Sequence, residues 1–352
     1  MTQDDPDKSI KRNRVFILGA GFSAGAGIPL TETLLERTMR KFSTECPGLF
    51  ERVDRYARES IEQYDEEETD YSKVDLSGLC TFLEYVELRE YGGGERWKAE
   101  GSREKLALRF YLAKTIAEHT PSVDEIPQMY IDFANQLHEH DIIISFNWDS
   151  LLEVALQKVG KTYTYNWGDN HAVKLCKLHG SINWRLNEPS NLGNPVNTLG
   201  WESLLFTEGM MDVDIFHTSA LLNYDRWHCY SPLGEVEPFL VLPGYGKAFD
   251  VRSNAVLWYK PEFAFAATHD VYVIGLSLAP DDFFIRSFFL SNLPFIGSCS
   301  GVEGRRIFII NPDKDAGENY DFVLSRGYAD LLNENFSNEH INFMRERAEN
   351  DQ

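Results

Sequence analysis

The sequence predicts an α/β protein: a Rossmann-like parallel sheet flanked by helices and interrupted by a helical insertion. Three observations predict it. Residues 15–18 (Val-Phe-Ile-Leu) run straight into a glycine-rich turn over residues 19–29 (Gly-Ala-Gly-Phe-Ser-Ala-Gly-Ala-Gly-Ile-Pro). Short apolar runs bounded by polar or turn residues recur at 141–146, 173–178, 239–242, 271–275 and 306–310, the pattern of parallel strands buried on both faces. Between about 45 and 135 the apolar spacing is helical throughout, with no strand pattern.

Taken in order, residues 1–13 are polar and charged and read as a disordered leader without the apolar core of a signal peptide. The first strand and its glycine turn follow. A helix is expected over 30–42, with Thr31 as its cap and Glu32 in its first turn. Helical spacing continues over 48–64, 76–90 and 103–118. The acidic run 65–70 reads as a solvated loop, and Gly92-Gly93-Gly94 as a flexible linker. Beyond the insertion, helices are expected at 150–159 and 281–290, between strands. Residues 185–237, rich in Asn, Gly and aromatics, read as loops walling a pocket. The resulting division is a leader at 1–13, an α/β domain at 14–44 and 136–335, an insertion at 45–135 and a C-terminal tail at 336–352.

With 352 residues, 43% of them hydrophobic, the chain carries enough apolar side chains for one large core or two smaller ones. The formal net charge of −21 argues against direct binding of nucleic acid, which needs clustered Lys and Arg against phosphates. Cys46, Cys80, Cys176, Cys229 and Cys299 form no C-x-x-C pair and read as free thiols in a reducing compartment. No segment is long and apolar enough to span a bilayer. A cytoplasmic protein with no membrane partner is therefore expected.

The glycine turn admits two chemistries. Gly19-Ala20-Gly21-Phe22-Ser23-Ala24 fits G-x-G-x-x-A, the turn that brings a dinucleotide diphosphate against backbone N–H groups. The acidic residue that a dehydrogenase places roughly 20 positions later, at the end of a second strand, has no counterpart here. The overlapping Gly21-Phe22-Ser23-Ala24-Gly25 also fits G-x-S-x-G, the nucleophile elbow, with Asp149 and His179 following in hydrolase order. Few residues precede Ser23 in this sequence, so the upstream strands and oxyanion loop of that fold are not expected, and the hydrolase alternative that stays open is a patatin-like variant, which starts nearer its elbow. It is not a phosphate-binding loop of the Gly-Lys-Ser/Thr type.

Further chemistry clusters just past strand ends, where open α/β sheets bind ligands. Asn147-Trp148-Asp149 follows the strand at 141–146, and His179-Gly180-Ser181-Ile182-Asn183-Trp184 follows the strand at 173–178. Gly275-Leu276-Ser277 and Asn311-Pro312 end two later strands. Together, Gly19-Ala20-Gly21 with Ser23 and Gly27-Ile28-Pro29, Asn147 with Asp149, His179-Gly180, Gly275-x-Ser277 and Asn311 resemble the sirtuin superfamily from about residue 14 to 315. The cysteines that hold a structural zinc in protein-deacetylating sirtuins are missing, and Leu30-Thr31-Glu32 stands where those enzymes carry Phe-Arg. Residues 145–153 and 178–184, Pro238–Pro243 with Lys247, and 274–282 more closely resemble the zinc-less, sirtuin-like NADases of bacterial anti-phage defence.

That resemblance implies NAD as substrate, no metal, and depletion of NAD in defence. It also implies work as a homo-oligomer or with a sensor partner, an Argonaute-like protein or a HerA-type ATPase. It implies His179 and Asn147 as catalytic residues, the first taking a proton from water or a ribose hydroxyl and the second orienting that water or the ribose. It implies Gly19, Ala20, Gly21 and Ser23 at the diphosphate. Asp149 is expected at the nicotinamide amide or as a cap of the helix that follows it. Gly275 is expected among the NAD-binding residues, and Ser277 and Asn311 on the adenosine side or as plain turn residues. A protein deacylase and a non-enzymatic NAD- or ADP-ribose-binding subunit are the other functions compatible with these residues.

Overall fold

The computed structural model describes residues 13–62, 68–88, 102–165, 169–186, 213–215, 238–244, 257–258, 261, 264–265, 268–280, 282–298 and 306–350. The expected leader, the Gly92–Gly94 linker, much of the acidic run, nearly all of 187–237, and Lys247 lie outside them. A Rossmann-like sheet forms the centre. Its strands are β1 (Arg14–Leu18), β2 (Ile142–Ser145), β3 (Tyr163–Thr164), β4 (Val173–Lys177), β8 (Asp270–Ile274), β9 (Arg306–Ile310) and β10 (Ala329–Leu332), all parallel, in the order β10-β9-β8-β1-β2-β4-β3. A second, antiparallel sheet holds β5 (Gly180–Leu186) between β6 (Val213–Ile215) and β7 (Pro238–Leu240).

The helices among the described residues are α1 (Ala20–Ala24), α2 (Thr31–Glu45), α3 (Pro47–Ser60), α4 (Leu76–Leu88), α5 (Ser102–His119), α6 (Gln128–Gln136), α7 (Leu151–Lys158), α8 (Phe283–Ser298), α9 (Ala316–Asn319), α10 (Asp321–Leu324) and α11 (Asn338–Asn350); α3 and α4 pack on other helices, and α5 also meets the second sheet. Val15, Phe16, Ile17 and Leu18 are buried whichever face they point to, as are Ile143 and Ile144. This is why the central strands read as unbroken apolar runs rather than alternating ones. Phe16 meets Phe133 of α6 edge-on and stacks on Tyr272 of β8, so one strand residue joins both layers. The apolar core continues into the helices between β1 and β2. Phe42 of α2 stacks on Tyr111 of α5 at 4.6 Å, beside a Thr38–Thr115 hydrogen bond.

Several expectations need correction. The glycine turn is not wholly a turn, because Ala20–Ala24 close one helical turn with Gly19 as cap residue. Thr31 is the first residue of α2 and Leu30 its cap, with no side-chain capping bond. The run at 239–242 does not join the parallel sheet; β7 pairs antiparallel with β5. β5 was unforeseen because Ser181 and Asn183, both fully buried, break up its apolar pattern. Helix α6 falls at the end of the stretch expected to be helical, where no separate helix had been delimited. Residues 338–350, expected as part of a tail, form α11, which buries Ile341 and Met344.

The N-terminal ends of the strands are clamped by two Arg–Asp forks, one buried and one half-buried. Arg14 donates to both oxygens of Asp141, at 3.0 and 2.6 Å, and to the carbonyl of Gln136. Arg347 of α11 donates to both oxygens of Asp270, at 2.6 and 3.0 Å. The paired geometry offsets the desolvation of each charge. Removing Asp141 leaves Arg14 charged and unpaired in the core. Asp141→Ala is therefore expected to lower unfolding free energy by roughly 3–5 kcal/mol, read by urea denaturation.

His340 of α11 is buried, with its Nδ1 2.9 Å from Ser337 Oγ at the helix start. Burial lowers its pKa below the ordinary 6.5, against the opposing pull of Glu334 and Glu339. At high pH the ring is neutral in both folded and unfolded chains. As pH falls below 6.5 the unfolded chain takes up the proton first, so stability falls with pH there. In His340→Gln the thermal midpoint is expected to lose this part of its pH dependence below 6.5.

Candidate active site at the strand ends

The C-terminal ends of five parallel strands are tied side by side by a hydrogen bond between each of the four neighbouring pairs. Phe146 N donates to Leu18 O (2.9 Å), Leu178 N to Ser145 O (3.0 Å), Gly19 N to Ile274 O (3.0 Å), and Gly275 N to Ile310 O (2.9 Å). The residues that follow these ends, Gly19, Asn147, His179, Gly275 and Asn311, therefore stand in one row. The chain runs outward from β1 in both directions, through β2 on one side and β8 on the other. That reversal is where open α/β sheets form their ligand crevice.

At this point two backbones cross in contact. Gly21 N donates to Gly275 O at 2.8 Å. A Cβ on Gly19 would lie 2.4 Å from the Leu276 Cα, and one on Gly275 would lie 2.1 Å from Phe22 N. Gly275 also has φ +64°, a left-handed conformation that glycine adopts without strain. These glycines let the turn after β1 pack against the turn after β8. The N–H groups of Gly19 and Gly21 are thereby committed to the chain itself, and Ala20, exposed between them, presents the first residue of α1.

Asn147 fastens the same turn from the other side. Its Nδ2 donates to Gly19 O at 2.8 Å and to Ser23 Oγ at 3.2 Å. A carbonyl can only accept, so the amide orientation is fixed and Oδ1 is the atom left to meet a ligand. Ser23 is 1% exposed and faces into the protein. Asp149, one residue before the cap residue Ser150 of α7, accepts from Leu151 N at 3.0 Å. No hydrogen bond joins Ser23, Asp149 and His179, so among the described residues the hydrolase triad does not form. No His, Cys, Asp and Glu cluster among the described residues could hold a metal ion.

His179 is buried against aromatic rings, 5.1 Å from Phe146 and 6.1 Å from Trp258 between centroids. Its carbonyl accepts from Val241 N, and Gly180, at φ +75°, turns the chain into β5. A Cβ on Gly180 would lie 2.2 Å from Phe239 O, so the residue after the histidine must be glycine for β7 to approach. Asn311 spends both side-chain atoms on the fold: Nδ2 donates to Leu276 O and Oδ1 accepts from Asp313 N. Ser277 is exposed beside it, its carbonyl held by Asn319 Nδ2. The structure thus brings the glycine turn, Ser23 and Asn147 into direct contact, sets His179 and Asp149 alongside, and puts Ser277 and Asn311 at the β8–β9 end.

A buried network under these loops escaped the sequence reading. Lys177, the last residue of β4, donates to the backbone carbonyl of Asp149 and to Glu153 Oε1. Glu153 Oε1 also accepts from Tyr165 OH, which accepts from Asn183 Nδ2. Burial, then the Glu153 charge, push the Tyr165 hydroxyl well above the usual phenol range. The signal was present as a lysine and a glutamate inside otherwise apolar segments.

Two clefts among the described residues lie elsewhere. One of about 460 Å³ between α6 and α11 is lined by Asn135, Gln136, Asn338 and Arg345, and another borders β10 and α11. Neither includes a residue of the strand-end row.

No family model matches the chain, and no curated protein matches it. Among solved structures it is similar to a Sir2 with a p53 peptide and NAD+, at 12% identity and TM-score 0.42, over 97% of this chain and 93% of that one. It is similar to Sir2Tm bound to a propionylated peptide, at 13% identity and TM-score 0.42 with the same coverage. It is also similar to a Sir2 in complex with the inhibitor EX-527, 2′-O-acetyl-ADP-ribose and a deacetylated p53 peptide, at 14% identity and TM-score 0.38, over 97% and 94% of the two chains.

The backbone crossing yields a direct test. In Gly275→Ala the new Cβ meets backbone atoms and the residue must hold a positive φ. Chemical denaturation is expected to show a loss of roughly 2–5 kcal/mol. Gly317→Ala, whose Cβ would meet nothing nearer than Leu331 Cδ2 at 3.7 Å, is expected to leave stability unchanged or slightly raised.

Proposed function

We propose that this chain hydrolyses NAD to ADP-ribose and nicotinamide. The observation that supports it is the meeting of the glycine turn, Asn147 and the His179 segment at adjoining strand ends, at the reversal of strand order. The resemblance of these same residues to sirtuin-like NADases supplies the ligand.

Breaking the bond between nicotinamide and C1′ of the ribose sends the bonding pair to the departing ring, which leaves neutral. Positive charge then spreads over C1′ and the ring oxygen. Water adds at C1′ and gives a proton to His179, so NAD and water yield ADP-ribose, nicotinamide and a proton. Position and electrostatics carry such a reaction. Asn147, its Nδ2 tied to Gly19 O, offers Oδ1 as an acceptor to the water or a ribose hydroxyl. Ala20 and the first turn of α1 face the diphosphate, and Ser277 with the Gly275 turn faces the adenosine. Asp149 holds its loop through Leu151 N and stands next to the nicotinamide side.

In the cell this reading makes the chain the effector of an anti-phage defence by NAD depletion. Such an activity must be silent until triggered, so assembly into a homo-oligomer or engagement by a HerA-type ATPase or Argonaute-like sensor would switch it on. The negative charge of the chain leaves recognition of invading nucleic acid to that partner.

The test is nicotinamide release from NAD by the purified chain, followed with time. His179→Ala is expected to lower kcat by about 10²–10⁴-fold, the span of a lost general base. Asn147→Ala is expected to lower it by about 10²-fold through misplacement of the turn. Release that requires an acyl-lysine peptide would assign a deacylase instead. NAD binding without release, also in the presence of candidate partners, would assign a non-enzymatic binding subunit. Absence of both overturns the reading.

A further inference from the structure

Lys177 and Glu153 are each 1% exposed and lie 3.1 Å apart, nitrogen to oxygen. Burying an ammonium and a carboxylate costs more than burying apolar residues of the same size, so stability alone does not account for the pair. Its connections do. Lys177 ends β4 two residues before His179, and its second acceptor is the carbonyl of Asp149, in the loop that carries Asn147. Glu153 lies in the first turn of α7, the helix entered from that loop. Through Tyr165 the same carboxylate reaches Asn183 on β5, beyond Gly180. On the other side, Ile182 N and Ser181 Oγ of β5 both donate to Trp148 O. The Asn147-Trp148-Asp149 loop is thus held to the segment bearing His179 at two successive carbonyls, Trp148 O by β5 and Asp149 O by the pair.

We propose that the Lys177–Glu153 pair is a positioning device that sets Asn147 against His179, and that neither residue touches substrate. Without it the loop loses its hold at the Asp149 carbonyl and keeps the Asn147 bonds to Gly19 O and Ser23 Oγ, the Trp148 carbonyl bonds and the Asp149–Leu151 bond. The separation of Asn147 from the β4 end that leads to His179 is then no longer fixed. The kinetic half of this proposal rests on the NAD-cleaving reading; the structural half does not.

The test uses the full chain and the double variant Lys177→Met/Glu153→Met, which removes both charges together and leaves neither buried alone. Amide hydrogen exchange at Leu151 and Ile182, whose N–H groups bind Asp149 Oδ1 and Trp148 O, reports the loop directly. Exchange at both is expected to rise at least about tenfold while central-strand amides and the thermal midpoint stay as in the wild type. For nicotinamide release, kcat is expected to fall at least about tenfold with KM within about threefold. Tyr165→Phe, which deletes one hydroxyl and keeps the pair, is expected to shift exchange and kcat in the same direction by about threefold. Wild-type exchange at Leu151 and Ile182 in the double variant overturns the proposal, as does faster exchange with an unchanged kcat. If the double variant fails to fold, wild-type exchange and kcat in Tyr165→Phe overturn it. A wild-type chain that releases no nicotinamide removes the functional reading, and the exchange data still decide the role of the pair.

Discussion

The turn after β1 and the turn after β8 touch backbone to backbone, and the arrangement of the strand ends depends on that contact. Gly19, Gly21 and Gly275 meet where a single Cβ would collide with main-chain atoms at 2.1–2.9 Å. Backbone cannot swing aside as a long side chain can, so the constraint is steric and absolute. The contact fixes where α1 begins. Asn147 then reaches Gly19 O and Ser23 Oγ because α1 begins there. The exposed residue between the two committed glycines is Ala20.

Charge is arranged differently at the two ends of the sheet. At the N-terminal end, Arg14 with Asp141 and Arg347 with Asp270 form two-pronged pairs that lock strands and α11 together. At the C-terminal end, the buried pair of Lys177 with Glu153 joins the end of β4 and the start of α7 to the loop carbonyl of Asp149. The polar side chains near the crevice are mostly engaged with carbonyls. Asn311 and Asn147 both give Nδ2 to a turn carbonyl across the row. The loops are thereby tied to the fold at several points.

The central strands were legible in the sequence because burial on both faces leaves an unbroken apolar run, as in Val15–Leu18 and Ile142–Ile144. β5 was not, since Ser181 and Asn183 are buried polar residues whose partners, Trp148 O and Tyr165 OH, lie far away in sequence. The glycines were legible as special but not for the right contact, because Gly275 approaches Gly21 only after β8 has paired with β1. Lys177 and Glu153 each stand in apolar company, Lys177 beside Leu175, Cys176 and Leu178, which marks them for burial without naming their partners. Asn147 and His179 stood out because each follows a strand end, a position that sequence does reveal.

The central claim is that these strand ends form a single nucleotide crevice. A crystal structure of the chain with ADP-ribose tests it most directly. The account predicts the diphosphate at Ala20 and the start of α1, with the terminal ribose between Asn147 Oδ1 and the His179 ring. Density for the ligand in the cleft between α6 and α11, or none at millimolar ligand, would contradict it.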